Sequence, residues 1–213
     1  MTRNKKFPIG TLILFGLFLL VMLITYILVR PPPPPPELEG VLRPEFRLLR
    51  SFELTDHEGA VFDQKRFQGK WTFVFFGYTS CPDICPATLY VLNAVQGLIE
   101  DKTGEAPEEM QVIFISVDPK RDTPELLADY VAHFNKTFIG ATAGKQEIDR
   151  VAGQFGAGYV LEEETAPGSY LVSHTSAIFL VDPLGRLVAT FSQPHYASTI
   201  VTLYEKILAY FYQ

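Results

Sequence analysis

Two cysteines are present, in Gly77-Tyr-Thr-Ser-Cys81-Pro-Asp-Ile-Cys85-Pro86. Two are too few for a disulfide framework, but a close pair beside a turn points to metal binding or thiol chemistry rather than core filling. On a helix, positions i and i+4 share a face, so Cys81 and Cys85 can point the same way. Where a helix starts, free backbone N–H groups and the helix dipole stabilise thiolate, the form that ligates metal or attacks a disulfide. The CxxxC spacing separates the sulfurs more than CxxC does. It leaves room for a metal between them while keeping a disulfide within reach. Two soft sulfurs favour Cu(I) or Zn. Two ligands alone hold either ion poorly, so a third is expected.

The chain has four histidines from which to draw it. His57 falls in a polar turn and reads as solvated surface. His133 lies near the end of a helix, where it meets the helix dipole. His195, in Gln193-Pro194-His195-Tyr196, precedes the last helix and reads as structural. His174 stands immediately before an apolar strand. It shares a sheet edge with the cysteine turn if that strand runs antiparallel to the one feeding the turn. Spacing alone leaves His174 open between ligand and structural residue.

The elements that must position these groups are legible from hydrophobic patterning. Trp71–Tyr78 is a continuous apolar run, as expected of a strand buried on both faces. It leads into the cysteine turn, which opens a helix through about Ile99. The pair is therefore expected at the C-terminal edge of the sheet, where α/β proteins place ligands. Phe52–Thr55 and Ala60–Asp63 read as a small hairpin around Asp56-His57-Glu58-Gly59. Gln111–Val117 is a second buried strand, and Phe138–Ala141 a short one. Thr123 caps a helix over Pro124–Phe134, with Pro in its first turn. Lys145–Phe155 is an amphipathic helix stopped by Gly156. Thr175–Val181 and Leu187–Phe191 form a hairpin, and a last helix runs from about Ala197 to Tyr212. Strands alternating with helices, closed by an antiparallel pair, predict an α/β, thioredoxin-like fold with an extra N-terminal β-hairpin.

Ahead of this domain, residues 1–8 are polar and basic, and Ile9–Val29 carries no charge. As a helix that run spans ~31 Å, about the thickness of a bilayer core. It is longer than the apolar stretch of a signal peptide and ends without a small-residue cleavage site, so an uncleaved transmembrane anchor is expected. Arg3, Lys5 and Lys6 place the N-terminus in the cytoplasm and the domain outside, against the weaker pull of Arg30. Residues 30–41, with six prolines at Pro31–Pro36, read as a stiff spacer, and residues 42–213 as the folded domain. Beyond residue 30 the chain holds 14 bases against 24 acids, a charge of −10. Such a domain is a poor partner for nucleic acid and is suited to cationic partners or metal ions.

The decapeptide at 77–86, Ser116-Val-Asp-Pro-Lys-Arg-Asp-Thr-Pro124, and His174-Thr175 ahead of Phe179-Leu-Val-Asp-Pro183 resemble the Sco/SenC family. These are copper chaperones for the dinuclear copper A site of cytochrome c oxidase. The resemblance covers residues 45 to 211. It implies an extracytoplasmic thioredoxin-like domain with Cys81, Cys85 and His174 as copper ligands, able to take Cu(I) and Cu(II). It implies cytochrome c oxidase subunit II as acceptor, an upstream periplasmic copper donor and a thioredoxin-like reductant. The implied location is the bacterial inner membrane, single-pass, with the domain in the periplasm. Two features depart from the family pattern or stand out. Ser173 precedes His174 where the family often has an acid, which leaves Asp83 as the nearby carboxylate that could tune the site. The acidic segment Glu162–Gly168 reads as a mobile loop able to swing the histidine. The competing class is an enzyme, a thiol-disulfide oxidoreductase acting through Cys81 and Cys85. A peroxidase is a third reading, for which no motif speaks.

Overall fold

In a computed structural model, residues 9–29, 33–103 and 110–212 are described, and they fall into two units, Met1–Pro34 and Pro35–Gln213. The first unit contains α1 (Ile9–Val29), a helix with the bounds of the uncharged run. Its described side chains extend from residue 10 to residue 26, and among the described residues no helix is long and apolar enough to cross a membrane. Residues 1–8 and 30–32, which include the basic N-terminus, Arg30 and the first two prolines of the spacer, lie outside the described residues.

The second unit starts earlier than the expected Leu42. Pro36–Leu38 form a 3-10 turn, Leu38 is fully buried, and Glu37 pairs with Lys206 at 3.3 Å. The last proline of the run and the residues after it therefore belong to the compact unit. Next comes β1 (Leu42–Leu48), a strand that the patterning did not reveal because its exposures do not alternate. The expected hairpin is β2 (Glu53–Asp56) and β3 (Val61–Asp63). Then follow β4 (Trp71–Gly77), α2 (Ile84–Thr103), β5 (Met110–Ser116), α3 (Pro124–Phe134), β6 (Ile139–Thr142) and α4 (Lys145–Phe155). The short pair β7 (Tyr159–Leu161) and β8 (Val172–His174) precedes β9 (Ile178–Val181), β10 (Arg186–Phe191) and α5 (Ala197–Phe211).

One eight-stranded sheet has the order β1-β10-β9-β4-β5-β6-β2-β3, with β4, β5 and β6 parallel and the other neighbours antiparallel. Every residue of β4 is buried, as its unbroken apolar run requires in the middle of a sheet covered on both sides. Phe73 meets Tyr204 of α5, and Phe114, beside Phe75, meets Tyr130 of α3. On the other face Phe76 and Phe179 pack against Phe155 of α4. Helices on both faces of a mixed sheet with a parallel centre make the domain thioredoxin-like. Thr123 accepts a hydrogen bond from the Leu126 N–H and caps α3, and Gly156, at φ 74°, terminates α4.

Candidate metal centre

The strand β9 does run antiparallel to β4, pairing Ile178 with Phe75 and Val181 with Thr72. The chain entering β9 therefore passes the end of β4 where the cysteine turn begins. This brings Cys81, Cys85 and His174 together, with Sγ of both cysteines and a ring nitrogen all within 4.8 Å of one another. Cys85 Sγ lies 3.3 Å from His174 Nε2.

The two cysteines are not successive residues of one helical face. Cys81 sits in the turn, and α2 begins only at Ile84. The sulfurs still converge, because Cys81 Sγ accepts the Cys85 backbone N–H at 3.4 Å and thus occupies the mouth of the helix. The Cys81 thiol is lowered to about 3, first by the hydrogen bond from the Cys85 thiol, then by His174 and the backbone N–H groups of Asp83 and Cys85. Burial opposes this but does not prevail. The Cys85 thiol is pushed up by the same hydrogen bond to Cys81 and by its burial. The pair therefore shares one proton, with thiolate character on the half-buried Cys81 and the proton on the buried Cys85.

His174 closes β8, opposite Tyr159. Its Nδ1 lies 3.1 Å from the Thr175 carbonyl, which can only accept, so Nδ1 carries a hydrogen and Nε2 is the ring nitrogen turned to the sulfurs. Edge-to-face contacts with Phe75 and Tyr78, each at 5.9 Å, fix the ring plane. The segment bearing His174 carries hydrogen bonds across its two arms. β7 and β8 pair over three residues, Glu162 N–H bonds the Leu171 carbonyl at 2.9 Å, and Thr165 and Ser169 close the tip. The backbone groups of Glu162, Thr165 and Ser169 thus have partners within the arm.

The second motif, Ser116–Pro124, supplies a clamp whose role is not apparent from residue types. Buried Asp122 accepts the Thr79 backbone N–H at 3.0 Å, the Thr79 hydroxyl at 2.6 Å and the Ser116 hydroxyl at 2.5 Å, pinning the start of the cysteine turn. Asp118, fully buried, pairs with Arg121 and accepts the Tyr170 hydroxyl at 2.7 Å. Arg121 donates to the Tyr170 carbonyl at 2.9 Å, stacks over the Tyr170 ring at 3.7 Å and lies 5.5 Å from the Tyr78 ring. One guanidinium thus ties the strand end before Cys81 to the arm that carries His174. Gly77 is equally specific. A Cβ there would lie 2.7 Å from Cys85 Sγ and 2.7 Å from Phe114 Cε2.

The remaining candidates separate. His57 is not free surface, since its Nδ1 accepts the Gly140 N–H at 3.1 Å and holds β2 to β6. His133 contacts the Tyr90 hydroxyl at 3.2 Å. His195 donates from Nε2 to the Ser176 carbonyl at 2.8 Å and so steadies the segment just after His174. Asp83 faces solvent, and its contribution to Cys81 is its backbone N–H rather than its carboxylate. Asp83 nevertheless borders the site pocket, and a second carboxylate joins it there, that of Glu162, bonded by the Ser173 hydroxyl at 2.6 Å. The register of β7 against β8 places it there, and neither motif hints at it.

Residues 42–209 match the SCO1/SenC family, so the chain belongs to that family. Among its relatives, a putative copper-binding protein of Stutzerimonas stutzeri is 36% identical over 147 residues, covering 69% of this chain and 70% of that protein. A SCO2-like protein of Rickettsia prowazekii is 35% identical over 156 residues, covering 72% of this chain and 74% of the relative. The copper-bound structure of Arabidopsis thaliana ScoI aligns with TM-score 0.69 at 33% identity, over 75% of this chain and 98% of that one. Copper-bound yeast Sco1 aligns with TM-score 0.69 at 30% identity, over 78% and 90%.

Proposed function

We propose that the protein is a membrane-anchored copper chaperone that carries one copper ion on Cys81 Sγ, Cys85 Sγ and His174 Nε2 to the copper A site of cytochrome c oxidase subunit II. The observation that carries this reading is the convergence of those three ligand atoms within 4.8 Å. The donor chemistry fits copper: two sulfurs and one imidazole suit trigonal Cu(I), and the imidazole with one added ligand extends the site to Cu(II). The copper-bound relatives above support it. Copper is cargo here, and the unequal exposure of the ligands sets its path. Cys81 is half-buried and borders an open pocket of about 310 Å³, whereas Cys85 is fully buried. An incoming ligand of the acceptor approaches on the Cys81 side, shares the ion, and releases Cys85 last.

In this reading α1 is the anchor, with the basic residues 1–8 in the cytoplasm and the domain in the periplasm. Protease added to intact spheroplasts should digest the domain, and digestion only in inside-out vesicles would reverse the topology.

A second reading is favoured by the asymmetry of the cysteines. A half-buried thiolate at Cys81 that borders an open pocket, backed by a buried Cys85 thiol, is the arrangement of a disulfide reductase. The same domain would then reduce the acceptor's cysteines, drawing on a thioredoxin-like donor. Thiol exchange needs no third ligand, so His174→Ala separates the two once its Cys81 is shown, by alkylation at neutral pH, to remain as reactive as in the wild type. In cells lacking the protein, wild type should restore oxidase activity under copper scarcity and His174→Ala, at equal abundance, should not. Full rescue by His174→Ala would establish the reductase instead.

A further inference from the structure

The domain is acidic, yet three arginines converge on one cleft. Arg47 and Arg50, at the end of β1, and Arg150, on α4, line a depression of about 740 Å³ together with Leu48, Leu49 and Gln154. No acidic residue lines it. Arg150 is paired with Glu147 at 2.5 Å, and among the described residues Arg47 and Arg50 have no carboxylate partner. The cleft is shaped by contacts of its own, since the Arg50 backbone N–H donates to Gln154 Oε1 at 2.6 Å. Like charges line it, and Arg47 also acts on the Arg43 guanidinium outside the cleft, which is lowered by its burial and then by the charge of Arg47. An anion in the cleft would relieve the repulsion among Arg47, Arg50 and Arg150. Beside the arginines Leu48 is 68% exposed, an apolar side chain with nothing over it among the described residues.

The position of the cleft identifies the anion. Leu48 pairs with Arg186, Leu187 with Val181, and Val181 with Thr72. The arginines therefore sit at the sheet edge where β4 begins, opposite the edge that carries Cys81 and Cys85. Only residues 30–34 lie between α1 and the compact unit, and so short a chain reaches at most ~20 Å. If α1 is in the bilayer, the domain works within reach of lipid headgroups, and an unpaired arginine pair beside an exposed leucine is the surface suited to anionic ones. We infer that the Arg47–Arg50–Arg150 cleft with Leu48 is a docking surface for anionic phospholipid headgroups, which turns the Cys81–Cys85–His174 site away from the membrane. The inference rests on the anchor reading.

The test uses the full chain in lipid nanodiscs brominated high in the acyl chains, with a tryptophan reporter at Leu48→Trp and, separately, at Ile84→Trp beside the metal site. Emission is compared with that of the unmodified chain, which carries Trp71. In discs with one third phosphatidylglycerol the Leu48→Trp reporter should be quenched and the Ile84→Trp reporter should not. In purely zwitterionic discs neither should be. Adding Arg47→Glu and Arg50→Glu should abolish the quenching, because each arginine near an anionic surface is worth roughly fivefold in partitioning. Equal quenching of Leu48→Trp in the two lipids, or stronger quenching of Ile84→Trp, overturns the inference. A Leu48→Trp signal that responds only to added oxidase makes the cleft a protein interface and likewise overturns it. If the chain fails to incorporate into discs, the anchor reading falls; quenching in intact anionic vesicles would then still support the lipid site, and its absence would refute it.

Discussion

Gly77→Ala is the smallest change that should reach the metal site without touching a ligand. The added methyl would stand 2.7 Å from Cys85 Sγ and 2.7 Å from a ring carbon of Phe114, whereas ordinary contact begins at 3.4 Å. Relief requires movement of about 0.7 Å on both sides, and the neighbours are fully buried. Overpacking of this kind costs about 1–3 kcal/mol, while replacing glycine by alanine restrains the unfolded chain and returns about 0.4–1 kcal/mol. The net loss is roughly 0–2.6 kcal/mol, a fall of up to about 1.3 M in the urea midpoint of the domain. The effect on copper should be larger. Metal ligands tolerate displacements of about 0.2 Å, so a sulfur moved by several tenths should weaken Cu(I) binding by about 10- to 100-fold. Competition against a chromogenic Cu(I) chelator reads this directly. Pairing Gly77→Ala with Phe114→Leu separates the two effects: it frees space on the ring side and should recover part of the affinity only if Cys85 can slide back. A Gly77→Ala protein with unchanged midpoint and unchanged copper affinity would falsify the claim that Cys85 is wedged under the end of β4.

Four further outcomes follow from the same geometry. Alkylation of reduced apo-protein should fall on Cys81 and keep nearly the same rate from pH 8 to pH 5, where an ordinary thiol slows by roughly three orders of magnitude; a comparable slowing would show that Cys81 is not held as thiolate. Because the folded pKa of Cys81 is depressed to about 3 and that of Cys85 is raised, stability of the reduced apo-domain should rise with pH from about 3 to the ordinary thiol range. Above that range it should fall, as the unfolded chain loses both protons and the folded one keeps Cys85 protonated; urea melts across pH read the reversal, and a flat profile would contradict the shared proton. Arg121→Lys keeps the charge but loses the planar fork that joins Asp118, Tyr170 and Tyr78, so Cu(I) affinity should drop about 10-fold or more with all three ligands intact. Unchanged affinity would mean that the His174 arm needs no such tie. Mild oxidation should join Cys81 to Cys85, the oxidant taking two electrons and two protons, and block copper uptake until reduction, with mass spectrometry reporting the loss of two hydrogens; two free thiols would refute it.

Much of the architecture is written in local pattern. The unbroken apolar runs at β4 and β5 announce a covered central sheet, and Thr123, Pro124 and Gly156 mark helix ends, because capping and patterning act within a few residues. The strands that escaped, β1, β7 and β8, are partly exposed, and partners distant in the chain hold them. The helix opens after the cysteine turn as expected, but Cys81 stands in that turn and not on the helical face that the i, i+4 spacing suggests.

The site divides the same way. Cys81 and Cys85 declare themselves through type and spacing, because both belong to one turn whose geometry is local. His174 lies 89 residues from Cys85 and is silent on its own. Only the antiparallel register of β9 on β4 carries it to the thiols, and without that pairing it is one histidine among four. Gly77, Arg121, Asp118, Asp122 and Glu162 are quieter still, for what each does depends on a neighbour in another element. Residue type and spacing determine which groups can bind a soft metal; the folding of distant strands onto one sheet edge decides which of them meet.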